Sequence, residues 1–211
     1  MAGWPVDGLE VSPVARESVA SQFWQAVSEG DDSRAEALVA QLGAEDVPSL
    51  TEQLRSTQPD IRWWAARALA QVGDARAVSG LAGALADPEV AVRAVAVRAL
   101  AQLSSRCPDP VRTCLPAMAA LLRDPDGLVR QAAADALALC GEDAVPLLAE
   151  ILARGSAPER SRAAYALRKM ACLPAAVVLY RYLDDENLLV RTHAYEGLDD
   201  LGYLENTLLL P

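Results

Sequence analysis

Apolar residues in this chain recur at fixed offsets behind five arginines, Arg62, Arg93, Arg130, Arg160 and Arg191. Three residues after each comes alanine: Ala65, Ala96, Ala133, Ala163 and Ala194. A small residue follows at the sixth place (Ala68, Ala99, Ala136, Ala166, Gly197) and leucine at the seventh (Leu69, Leu100, Leu137, Leu167, Leu198). The tenth place is apolar again, with Val72, Leu103, Cys140, Met170 and Leu201. Offsets of this kind lie along one face of an α-helix. Gly73, Gly141 and Gly202 then stop three of the helices, and Ser104 and Ala171 stand at the same place in the other two. A degenerate sixth unit begins near Asp32, with Ala35, Leu38, Val39, Leu42 and Gly43 in register but no arginine.

Between these helices runs a second apolar series: Val47/Leu50/Leu54, Val78/Leu81/Leu85, Leu115/Met118/Leu122, Val145/Leu148/Leu152 and Ala176/Leu179/Leu183. Asp-Pro or Asp-Asp pairs (Asp87-Pro88, Asp124-Pro125, Asp184-Asp185) separate the two series, as residues that cap a helix or open its first turn. Each unit therefore reads as a helical hairpin, and hairpins that cannot bury their faces alone must stack. The predicted fold is all-α, a right-handed α-solenoid of about five to six hairpins. Residues 1–30 are expected to be an N-terminal extension and capping helix, 31–202 one solenoid domain and 203–211 a C-terminal cap.

Segments such as DPEVAVRAVAVRALAQL, DPDGLVRQAAADALALCG and DENLLVRTHAYEGLDDLG resemble the short HEAT-like repeats named after phycobilisome lyases. The resemblance covers roughly residues 31–202. It implies that the aspartate before the Arg helix and the arginine within it form a ladder between adjacent repeats, a structural role here for Asp87/Arg93, Asp124/Arg130 and Asp185/Arg191. Ser56 and Arg154 replace the aspartate before Arg62 and Arg160, so the ladder is expected to lapse there. The resemblance also implies an alternative function, a bilin lyase or isomerase subunit acting on a phycobiliprotein.

Composition fits closely packed helices: 41 alanines against one phenylalanine. Net charge is −10, which disfavours a phosphate-backbone partner, so no nucleic acid is expected. The charge is uneven, −8 over residues 1–60, +4 over 61–183 and −6 over 184–211. No apolar stretch is long enough for a membrane span and no secretion signal is evident, so no membrane partner is expected and the chain reads as cytoplasmic.

The inventory for chemistry is thin. His193 is the sole histidine, and Cys107, Cys114, Cys140 and Cys172 lack metal-ribbon or redox spacing. The paired carboxylates mostly precede helices, where the dipole favours them. No catalytic residue, metal or cofactor is therefore expected. The function expected is a protein-interaction scaffold, with a thiol-based cofactor-assembly chaperone as a further alternative. Its contact strip is placed on the second helices, taken to line the concave face: Ala84, Leu121, Ile151, Arg181 and Tyr182. The Trp63-Trp64 pair is a second, aromatic candidate.

Overall fold

The computed structural model describes residues 18–204. Two compact units divide it, the first ending at Leu42 and the second beginning at Gly43. Residues 205–211 of the expected C-terminal cap lie outside the described residues, as do residues 1–17 of the expected N-terminal extension and helix. In the first unit, α1 (Val19–Glu29) pairs with α2 (Asp32–Val39). Ser18 caps α1 by accepting from Ser21 N at 3.1 Å, and Gly30 turns the chain at φ 71°, where a side chain would be strained. Phe23, Ala26, Ala35 and Leu38 form its core, so the degenerate repeat signal at Ala35 and Leu38 marks real packing.

The second unit is built from five hairpins. Each has a companion helix and an Arg-bearing helix: α3 (Val47–Gln53) with α4 (Pro59–Val72), α5 (Ala75–Ala84) with α6 (Val90–Leu103), and α8 (Leu115–Ala120) with α9 (Gly127–Leu139). Next come α10 (Val145–Arg154) with α11 (Ala157–Met170) and α12 (Leu173–Tyr180) with α13 (Leu188–Asp199). The longer interval between Arg93 and Arg130 holds an extra short helix, α7 (Pro108–Arg112). No strand occurs among the described residues. Local signals set the boundaries. Asp126 accepts from Leu128 N at 2.8 Å to open α9, and Asn187 accepts from Leu189 N at 3.0 Å to open α13. At α11, Glu159 accepts from the Ser156 backbone N at 2.9 Å in a capping box.

The Arg-bearing helices pack on one another more extensively than the companion helices do. Their alanines (Ala65, Ala96, Ala99, Ala133, Ala136, Ala163, Ala166) are fully buried and let backbones approach closely. A stack with one layer more tightly spaced bends toward that layer. Within this unit the Arg-bearing helices therefore form the inner layer and the companion helices the outer one. This corrects the expectation that the second helices line the concave face.

The ladder is real, but its register differs from the expected one. Arg62, Arg93 and Arg160 each bridge two repeats. Arg93 donates from Nε and Nη2 to Asp124 of the next repeat at 2.8 and 2.9 Å, while its Nη1 reaches the Asp87 and Pro88 carbonyls of its own repeat at 2.8 and 3.1 Å. Arg62 pairs with Asp87 in the same way, at 2.6 and 2.8 Å, and Arg160 pairs with Asp185. The expected lapses at Arg62 and Arg160 are thus absent, because the carboxylate each arginine needs belongs to the following repeat. The lapse falls instead at Arg130. Its partner position is 154, where an arginine stands. Arg130 keeps only the bonds from Nη1 to the Asp124 and Pro125 carbonyls, at 2.7 and 2.8 Å. Arg191 likewise donates to its own-repeat carbonyls, of Asp185 and Glu186.

Candidate binding surfaces

Part of the expected contact strip turns inward. Ala84 is 7% exposed and Leu121 8%, so neither can meet a partner in the folded chain. Leu121 follows the core residue Met118 by three positions, which puts it on the buried side of its helix, as Ala84 is after Leu81. Helix α8 ends at Ala120 and continues as a 3₁₀ turn over Leu121–Arg123. Neighbouring positions of the strip are consumed by repeat stacking. A Cβ added at Gly80 would lie 2.9 Å from Leu54 Cδ1, so α5 rests directly on α3 there. Ile151 and Tyr182 are half-buried, and Arg181 is exposed.

Apolar exposure concentrates instead at the last hairpin. Leu173, Val177 and Tyr180 on α12, Tyr195 on α13 and Tyr203 after it are each about half exposed or more, with Tyr180 at 65%. They surround a groove of about 580 Å³ floored by Ala176 and Leu198, with Arg181 at its edge. The groove has a simple origin. In the preceding hairpins the corresponding face is covered by the next repeat, whereas α12 and α13 are the last helices among the described residues. Tyr180 was missed because the strip was projected along α12 on a fixed helical period. The available signal was the apolar run Leu173–Tyr180, which has no polar face.

The inner layer carries a second set of depressions. Trp63, half-buried, flanks one of about 390 Å³ with Arg67, Val95, Arg98 and Leu128. Trp64 is buried, and the two indoles meet edge to face with centroids 4.9 Å apart. Of the tryptophan pair, only Trp63 is therefore available to a ligand. Further along, α9, α11 and α13 border an open pocket of about 480 Å³ lined in part by Gln131, Ser161, Arg162, Tyr165, Asn187 and His193. Tyr165 donates to Asp135 at 2.8 Å and packs edge to face against His193, centroids 5.6 Å apart. Burial, partly offset by Glu196, holds the His193 pKa below its ordinary value, so the ring is neutral at pH 7.

The cysteines are reduced, with Cys114 buried and the other three half-buried. Burial pushes the Cys140 thiol up to about 11, and burial also raises Cys107. Thiolate, the form that binds metal or attacks, is therefore scarce at both near neutral pH. Among the described residues no cluster of histidine, cysteine and carboxylate could hold a metal ion, and no helix is long and apolar enough to cross a membrane.

Comparison with known proteins agrees with this architecture. Solved structures with the same fold include E. coli YibA, 21% identical with a TM-score of 0.58, the match covering 88% of this chain and 72% of YibA. Another is the complex of CpcE and CpcF of phycocyanin lyase from Nostoc sp. PCC7120, 24% identical with a TM-score of 0.52, covering 95% of this chain and 83% of the matched one. In sequence, the chain is 38% identical over 96 residues to the bilin biosynthesis protein RpcF of Synechococcus sp. (strain WH8020). That match takes in 44% of this chain and 46% of RpcF, so the chain spans less than half the length of that relative. The HEAT repeats family itself matches over residues 32–101 and 83–168, which is most of the repeat array, and the chain belongs to the HEAT-repeat family.

Proposed function

We propose that the chain is a binding subunit of the bilin-lyase type, a HEAT-repeat scaffold that holds a linear tetrapyrrole and a protein partner together. The observation that carries this is the division of labour between two surfaces. The end groove at Tyr180 is lined by apolar and aromatic side chains, suited to a protein surface; the pocket at Arg162 sets Gln131, Arg162, Asn187 and His193 among apolar side chains, suited to an amphipathic small molecule. The similarity to RpcF and to a phycocyanin lyase chain supports the choice of ligand. The chain supplies position rather than a nucleophile: burial keeps the Cys107 and Cys140 thiols protonated near neutral pH, and the single histidine lies in the pocket as a neutral ring. A soluble, cytoplasmic setting belongs to the same proposal.

The test mixes the purified chain with a bilin and a phycobiliprotein apoprotein, singly and together, and follows absorbance and complex formation by gel filtration. A red-shifted or sharpened bilin band with the chain, and a complex with the apoprotein or with a second helical-repeat subunit, are expected. Tyr180→Asp should abolish the protein complex while leaving the bilin band and the thermal melt unchanged. Absence of both the spectral change and the complex refutes the reading.

A further inference from the structure

The lapse in the ladder leaves Arg130 without a carboxylate partner from the next repeat, and Arg162, which lines the pocket, is near enough to feel its charge. Arg130 has its Nε buried and unpartnered. Arg162, two residues beyond the ladder arginine of the next repeat, donates from Nη1 to Pro158 O at 3.0 Å. Among the described residues neither arginine has an ion pair. The nearby acids are committed elsewhere: Asp135 accepts from Tyr165 and from Gln131 at 3.1 Å, and Glu196 pairs with Arg168. His193 Nδ1 is buried without a hydrogen bond, 3.5 Å from Glu196 Oε2 and misaligned with it. Burial first, then repulsion by Arg130, lowers the Arg162 pKa, the mark of positive charge left uncompensated.

We infer that this pocket is a carboxylate-binding site, in which the Nε–Nη2 edge of Arg162 takes the ligand's carboxylate and Arg130 behind it supplies the second positive charge. A guanidinium fork matches a carboxylate bidentately, and both partners gain strength where water is partly excluded. Tyr165 and His193 form an aromatic wall beside the fork, against which a flat ligand can lie. The site deepens the tetrapyrrole reading, and rests on it for the ligand, because a linear tetrapyrrole carries propionate carboxylates on a flat conjugated frame.

The experiment titrates wild type, Arg162→Gln and Arg162→Lys with biliverdin and with biliverdin dimethyl ester, reading absorbance, after thermal melts have confirmed folding. The wild type is expected to prefer the diacid about tenfold. Arg162→Gln should lose that preference, and Arg162→Lys, which keeps the charge but not the fork, should keep part of it. Equal binding of acid and ester by wild type, or an undiminished preference in Arg162→Gln, overturns the site and leaves the tetrapyrrole reading standing. A parallel titration with glutarate, followed by ¹⁵N NMR of the Arg162 and His193 side chains, separates the two failures. Glutarate shifts in wild type but not Arg162→Gln, with no biliverdin binding, sink the tetrapyrrole reading and sustain the site. Silence toward both probes overturns the site.

Discussion

Removing Asp124 should cost far more than removing Arg130, although sequence spacing makes the two look like one Asp–Arg pair. Asp124 receives two charge-assisted bonds from Arg93, at 2.8 and 2.9 Å, and a third from Asp126 N at 2.9 Å. Both side chains of the pair are nearly buried, 11% exposed for Arg93 and 6% for Asp124. Asp124→Ala therefore strands a buried guanidinium, which typically costs about 3–5 kcal/mol, and the lost turn bond adds roughly 0.5–1.5 kcal/mol. Arg130→Ala removes only two bonds to carbonyls, at about 1–2 kcal/mol. Replacing both partners at once, Arg93→Met with Asp124→Leu, should restore stability to within about 1–2 kcal/mol of wild type, since no charge is then left unpaired. Urea unfolding followed by circular dichroism at 222 nm measures all four proteins. The pH dependence supplies an independent check. The hydrogen bond from Arg93, outweighing burial, holds Asp124 below the usual carboxylate range. A depressed folded pKa means the contribution is complete above the unfolded value, about 4, and disappears as pH falls through the folded value. The gap between wild type and Asp124→Ala must therefore shrink in acid. A cost for Asp124→Ala no larger than for Arg130→Ala, or a gap that is flat through acid, would refute the inter-repeat assignment.

Two further outcomes test the fold. Ala171 closes α11 at φ 47°, a left-handed conformation that glycine adopts without penalty, so Ala171→Gly should stabilise the chain by about 1 kcal/mol and raise its urea midpoint. Leu121→Asp places a charge in the core and should lower the urea midpoint drastically, whereas Arg181→Ala, at an exposed site, should leave it within about 0.5 kcal/mol of wild type.

The repeat was legible because burial on a helix leaves a periodic trace. Ala65, Leu69 and their equivalents are buried in the structure in the order their offsets imply, and even the weak unit at Ala35 and Leu38 proves to be packed. What periodicity reports is which face of a helix is buried. It does not report which layer of helices is inner, because that depends on how closely neighbouring helices approach, a property of pairs of repeats. The concave face was assigned to the companion helices for this reason. Leu121 and Ala84 show a second limit: the buried arc of these helices is wider than the three core positions that the pattern picked out.

The ladder shows the same limit in electrostatic form, and its break is where the candidate site becomes visible. Asp124 lies six residues before Arg130, and in sequence that looks like the pairing. In three dimensions Arg130 spends its Nη1 on carbonyls of that turn, and the carboxylate partner it needs would have to stand at position 154. Arg154 there removes the acid and adds a base, and it pairs outward with Glu150 at 3.2 Å instead of entering the ladder. The interface is held by a substitute contact, Glu159 of α11 accepting from Arg123, so the two repeats stay joined without using Arg130. Among the described residues the ladder is met by an aspartate on either side, at Arg93 and Arg160, the interface between them stays closed by another route, and the unpaired Arg130 is a departure from local consistency. Such departures mark sites where a protein gives up stability for a task. The carboxylate missing at position 154 leaves Arg130 charged near Arg162, and the proposed carboxylate site draws on that charge.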